Sequence, residues 1–229
     1  QIIEGYADAG ARCFDAGFDA VQINAAHAFP LSQFLSPAYN KRSDPYGGST
    51  ENRVRIINEM ATRIKKRAGN DYPVMIKLNS EDYIDGGLTI EDSAQIAKAL
   101  SQEGIDAIEL SGGVLVGGKL SPSRVGIKSE EKEAYFRESS KAFKEALKVP
   151  IIMVGGNRSF QLAERLVVQG YTDYVSMSRP FIREPDLIKR WASGDLRKAT
   201  CISDNQCFGP GMAGEGIYCV VEKKQKMKS

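Results

Sequence analysis

Short apolar runs alternate along this chain with longer amphipathic stretches. Residues 20–23, 107–110 and 174–177 are runs of strand length. They follow Gly17-Phe18-Asp19, Gly104-Ile105-Asp106 and Gly170-Tyr171-Thr172-Asp173. A glycine there suits the left-handed position that ends a helix. Two further runs, 74–78 and 151–154, start just after Pro73 and Pro150. Five strands are predicted.

The stretches between them predict helices. Residues 51–68 carry Val54, Ile57, Ala61 and Ile64 at helical spacing, with Glu51 early and Lys65, Lys66 and Arg67 late, as the helix dipole favours. Thr89 to Asp92 predicts a capping box opening a helix to Gln102. Ser159 is expected to cap a helix to Gln169, and residues 130–148 and 185–193 complete the set. Strands alternating with helices imply parallel pairing and right-handed crossovers. Periodicity leaves open whether the sheet is doubly wound or a closed (β/α)8 barrel, which takes eight strands and about 250 residues.

Composition narrows the function classes. The chain has 229 residues and a formal net charge of +2, from 31 Lys+Arg and 29 Asp+Glu. That balance gives no basic footprint for nucleic acid or an anionic membrane. No apolar run approaches the roughly 20 residues of a membrane span. No secretory leader opens the sequence, since Glu4 and Asp8 lie in a helix-like start, so a cytoplasmic protein is expected. The four cysteines are too few for a disulfide scaffold. Cys13 is expected to be buried on the first helix, and the Lys-rich tail at 223–228 to be frayed.

Two glycine motifs mislead. Gly113 to Lys119 approximates a phosphate loop, but Leu120 replaces the magnesium-binding hydroxyl and Pro122 sits where a helix would begin. Gly209-Pro210-Gly211-Met212-Ala213-Gly214 matches a dinucleotide fingerprint, yet lies among cysteines with no strand before it; a glycine-rich loop is expected.

A long polar segment follows the first strand. It runs from Ile23-Asn24-Ala25-Ala26-His27-Ala28-Phe29-Pro30 through Ser36-Pro37 to Asn40-Lys41-Arg42-Ser43-Asp44-Pro45-Tyr46-Gly47-Gly48-Ser49 and Glu51-Asn52-Arg53. This run resembles the Old Yellow Enzyme family of FMN-dependent NADH:flavin oxidoreductases, and the resemblance extends over essentially the whole chain. It implies an α/β fold, a (β/α)8 TIM barrel of which this chain holds strands four to eight. Residues 1–195 would be the C-terminal five-eighths of that barrel, and residues 196–229 a cysteine-containing extension. The chain begins at Gln1, and the first three strands are expected from the same or another chain.

The resemblance also implies roles. Asn24 and His27 match the pair that donates hydrogen bonds to the acceptor's carbonyl oxygen, which polarises an alkene for hydride from the flavin. Phe29 stands where the family has a proton-donating Tyr, so water or another residue must supply the proton. Lys77 takes the place of an Arg against the flavin pyrimidine, without the bidentate fork. Gly155, Gly156 and Asn157 after strand seven, and Ser178 and Arg179 after strand eight, correspond to the FMN phosphate site. NAD(P)H would be the reductant and a small molecule such as an α,β-unsaturated carbonyl the acceptor. A homo-oligomer is expected.

Cys201, Cys207 and Cys219 resemble the cysteine motif of a subgroup that includes 2,4-dienoyl-CoA reductase and trimethylamine dehydrogenase, where four cysteines hold a [4Fe–4S] cluster. Asp204 replaces the second cysteine. A carboxylate is a harder ligand than a thiolate, which leaves a cluster, another metal or free thiols all open. Phe29 and Asp204 also keep a rival reading in play, a non-catalytic partial barrel that retains a flavin or phosphate site.

Overall fold

The computed structural model describes residues 1–227. Strands β1 (Val21–Ala25), β2 (Val74–Asn79), β3 (Ala107–Ser111), β4 (Ile151–Met153) and β5 (Tyr174–Val175) form one sheet in sequential order, each parallel to the next. Helices α1 (Ile2–Asp15), α2 (Pro30–Leu35), α3 (Thr50–Ala68), α4 (Ile90–Gln102), α5 (Arg137–Ala146), α6 (Phe160–Val168), α7 (Arg179–Arg183) and α8 (Leu187–Ala192) surround it. Then come α9 (Phe208–Met212) and α10 (Val220–Lys226). A doubly wound sheet reverses its strand order at a switch point. Here the order never reverses, so right-handed crossovers wind one way and form part of a (β/α)8 barrel.

Strand periodicity divides the two faces. Ile23, Ala25, Val74, Ile76, Leu78, Ile108 and Leu110 face the helices and join Ile57, Met60, Ile64, Ile96 and Leu100 in one buried core. Each of the buried Val, Leu, Ile and Met side chains contributes roughly 1.5–3 kcal/mol of burial. The alternate residues face the barrel interior, where Asn24, Lys77 and Glu109 lie in one row across β1, β2 and β3. Thr89 and Asp92 form the expected capping box of α4. Ser49 caps α3 by accepting from the Asn52 N–H.

Several expectations need correction. The segment after Phe29 is not all loop: α2 occupies Pro30–Leu35, because Pro30 supplies a preset φ in the first turn and Leu31 and Leu35 bury. The helix expected over 130–148 breaks. A 3-10 turn spans Glu130–Lys132, Ala134 adopts φ +49°, and α5 starts at Arg137. The cause is Glu133, which turns inward to serve another helix. Ser159 precedes α6 but makes no side-chain cap; its hydroxyl donates to Glu133 Oε1 at 2.8 Å. Strand β5 is only two residues long, not four. Residues Phe208–Met212 of the expected glycine-rich loop coil into α9. The basic tail is helical through Lys226, with Glu222 paired to Lys226 at 2.6 Å; Lys228 lies outside the described residues. Cys13 is half-buried rather than buried. Among the described residues no helix is long and apolar enough to cross a membrane.

Candidate active site at the strand ends

A cavity of about 300 Å³ opens at the C-terminal ends of the strands. In a parallel barrel this end carries the βα loops, where ligand groups collect. His27 and Phe29 line it from the loop after β1, Lys77 from β2, and Ser111 and Leu115 from β3 and beyond. Gly156, Asn157 and Arg158 follow β4, and Ser176, Ser178 and Arg179 follow β5. Six of the residues singled out by sequence therefore meet at one place. Asn24 and Gly155 do not line it. Asn24 is exposed on the interior face beside Lys77, and its Oδ1 accepts from the Ala26 N–H at 3.3 Å.

The polypeptide is forced to present His27. Both His27 and Ala28 have φ +64°, a left-handed conformation that costs non-glycine residues of order 1 kcal/mol or more each. Two bonds hold the turn: the His27 N–H donates to Asn79 Oδ1 at 3.2 Å, and the Ala28 N–H to Ser32 Oγ at 3.2 Å. Asn79 is anchored in turn, donating to Asp82 Oδ1 at 2.8 Å. The imidazole Nε2 lies 2.7 Å from Ser111 Oγ. Burial, and then the nearby Lys77 cation, lower the His27 pKa to about 4, with Glu109 opposing the shift. The ring is neutral at pH 7.

Lys77 is not a lone charge. Its ammonium donates to Glu109 Oε1 at 3.1 Å, and Ser176 Oγ donates to the same oxygen at 2.8 Å. Sequence reasoning passed over Glu109, although one acidic residue in an otherwise apolar strand is a visible signal. Phe29, 43% exposed, offers the cavity an apolar edge and no proton.

Arg179 is half engaged. Its Nη1 donates to the Arg124 carbonyl at 2.9 Å and to Asn205 Oδ1 at 2.6 Å. Its Nε and Nη2 have no partner among the described residues and are not buried, which leaves a two-donor edge for an anion. Gly156 holds φ +74°, and a Cβ there would come within 2.8 Å of the Tyr135 ring. Tyr135 is fixed by its hydroxyl donating to the Pro122 carbonyl at 2.8 Å, with the Arg124 guanidinium 4.5 Å from its ring centroid. Asn157 uses its amide to brace β4 to β5, donating to the Met153 and Ser176 carbonyls at 3.1 and 3.0 Å. The start of α6 is already taken by an anion. Buried Glu133 accepts from the Arg158 and Ser159 N–H groups, each at 2.9 Å. An incoming phosphate must therefore rely on Arg179, Ser178 and the loop at Gly156. Those groups fit the phosphate of FMN, and Lys77 supplies a cation deeper in the same cavity.

The C-terminal extension is part of this site. Ser203 and Phe208 line the cavity, and Asn205 holds Arg179. Ala199 packs with Leu187 and Trp191, and its N–H donates to the Arg158 carbonyl at 2.8 Å. None of this was visible from sequence.

The cysteines behave otherwise. Cys201 and Cys207 are buried and free, and burial pushes the Cys207 thiol pKa up. Cys219 Sγ accepts from Arg183 Nη1 at 3.4 Å. Among the described residues no three His, Cys, Asp or Glu side chains are gathered to hold a metal ion.

The long polar run after His27 is structural. Asn40 Nδ2 donates to the Phe34 and Tyr46 carbonyls at 2.7 and 2.8 Å. Asn52 donates to the Gly47 carbonyl at 3.0 Å, and Arg53 to the Gly48 carbonyl at 2.8 Å. Residues 40–49 thus form a bonded loop that feeds α3 and stays outside the cavity.

Residues 1–197 match the NADH:flavin oxidoreductase / NADH oxidase family. An NADH oxidase of Thermoanaerobacter brockii is 34% identical over an alignment of 243 positions, covering 97% of this chain and 36% of that protein. A 4,4'-dithiodibutanoate disulfide reductase of Rhodococcus erythropolis is 30% identical, covering 90% and 57%. Among solved structures, a 2-naphthoyl-CoA reductase in complex with 2-naphthoyl-CoA superposes with a TM-score of 0.78 at 32% identity, over 87% of this chain and 30% of that one. Morphinone reductase in complex with tetrahydroNAD gives a TM-score of 0.65 at 29% identity, over 86% and 49%. The chain therefore spans from 36% to 57% of the length of these two curated relatives.

Proposed function

The chain belongs to the NADH:flavin oxidoreductase / NADH oxidase family, and from that premise we propose that it forms the FMN-holding and acceptor-binding part of an oxidoreductase. The observation that carries this reading is the convergence of neutral His27, Lys77 and the free edge of Arg179 on one cavity. Arg179, Ser178 and Gly156 would hold the phosphate, and Lys77 would face the pyrimidine side of the ring. Bound there, FMN would supply the hydride-transfer chemistry between NAD(P)H and the acceptor.

The chain's own residues then bind and orient. His27 donates to the acceptor's carbonyl oxygen from a ring too buried to take up a proton at pH 7. Asn24, on the same interior face, is the second donor once a ligand covers it. Phe29 leaves proton delivery to water and lines the mouth with apolar surface, which favours acceptors such as α,β-unsaturated carbonyl compounds. The spacing of Cys201, Cys207 and Cys219 supports placement beside the 2,4-dienoyl-CoA reductase-like subgroup, with residues 196–229 as an extension to the barrel portion 1–195. β1 pairs with a single strand, and its other edge would receive a strand from the same polypeptide or from another copy.

Titration of the chain with FMN, followed by anaerobic NADH or NADPH, tests this. A shifted, quenched flavin band that bleaches and reoxidises with an enone supports the proposal. Binding without bleaching selects the non-catalytic reading favoured by Phe29. FMN left spectrally free overturns both.

A further inference from the structure

Ser111 stands at the end of β3, almost wholly buried, with its hydroxyl 2.7 Å from His27 Nε2. Among the described residues that nitrogen is the hydroxyl's sole hydrogen-bond partner. The arrangement favours one direction for the bond. Were Nε2 protonated and donating, the buried serine proton would be left without an acceptor. If the hydroxyl donates instead, both members of this bond are satisfied. Nδ1, by contrast, has no partner among the described residues and is not buried, beside the cavity that His27 lines.

We propose that Ser111 is a positioning residue whose hydroxyl donates to His27 Nε2 and locks the imidazole in its Nδ1–H tautomer. The cavity is thereby offered an N–H donor rather than a lone pair. The difference is decisive for a neutral ring, because the other tautomer would point a lone pair at the oxygen of a carbonyl ligand and repel it. Which nitrogen carries the proton is set by the bond the other one makes. The backbone supports the arrangement, with the Ser80 N–H donating to the Ser111 carbonyl at 2.7 Å and the His27 N–H held by Asn79. The proposal rests on the reading of this cavity as the acceptor site, but its test does not.

His27 is the only histidine, so a chain labelled with 15N-histidine gives one ring spin system. Long-range 1H–15N correlation of the full chain at pH 7, without flavin, should show a protonated Nδ1 and an unprotonated Nε2. Ser111→Ala should shift both nitrogens towards the Nε2–H pattern that histidine prefers in water, and Ser111→Thr should restore the native pattern. An Nε2–H pattern in the native chain, or no change in Ser111→Ala, overturns the proposal. If Ser111→Ala fails to fold, the native spectrum decides alone. Failure to bind FMN would overturn the functional reading and leave this result standing.

Discussion

Lys77 and Glu109 face each other across β2 and β3 with Nζ 3.1 Å from Oε1, the carboxylate only 8% exposed and the lysine 22%. Register makes them direct neighbours, and strand periodicity turns both into the barrel interior. The pair is asymmetric, because the more deeply buried member is the anion. Lys77→Met should therefore destabilise the chain by about 2–3 kcal/mol, since it strands a buried charge. Glu109→Gln should cost about 1 kcal/mol, because an amide oxygen still accepts from Ser176 and from the partly solvated lysine. The double variant should cost less than the sum. Urea unfolding of the three variants checks the order.

Arg179 offers its outer edge to an anion while its inner nitrogen ties down Asn205 and the Arg124 carbonyl. Charge-assisted bonds of this kind contribute about 1.5–3 kcal/mol. Arg179→Ala should weaken FMN binding about 10- to 100-fold, read by quenching of flavin fluorescence. Riboflavin, which lacks the phosphate, should bind the variant and the native chain alike.

The depressed pKa of His27 links stability to pH. Its folded value of about 4 lies below the ordinary value of 6.5. Between these limits the unfolded chain takes up a proton that the folded chain refuses. Stability should therefore fall as pH drops from about 6.5 to about 4, by roughly 2–3 kcal/mol, and this group should add no further change below that window. Urea midpoints at pH 7, 5.5 and 4.5 should show the slope, and His27→Gln should flatten it.

Gly156 is caught between a left-handed backbone and the Tyr135 ring. Gly156→Ala should cost about 1–3 kcal/mol, from the positive φ together with displacement of the ring. Adding Tyr135→Ala removes the clash but not the backbone strain. Thermal unfolding should then show less additional loss from Gly156→Ala in that background than in the native chain.

The strands were readable because Gly17, Gly104, Pro73 and Pro150 punctuate the chain immediately before them, and local punctuation survives folding. The capping box at Thr89 was readable for the same reason. The break at Ala134 was not: residues 130–148 carry helical periodicity, and a distant demand for Glu133 at the start of α6 overrode it. His27, Lys77 and Arg179 were found through their strand-end motifs. Glu109 showed its charge but not its partner, which needed the register. Ser111 and Asn205 carried no signal, since a serine and an asparagine become specific only through what lies opposite them. With the cysteines the reverse held. Their spacing was plain in the sequence, while the fold leaves Cys219 against Arg183.

Because Ser203 and Phe208 wall the cavity and Asn205 fixes the phosphate-facing arginine, the cavity is closed by residues translated well after His27 and Lys77. Synthesis therefore completes all five strands before residues 203–208, which finish the pocket, are made. At about 5–20 residues per second, the roughly thirty residues between β5 and Phe208 separate these events by seconds. Until then the strand ends carry His27 and Lys77 without the wall that Ser203 and Phe208 supply.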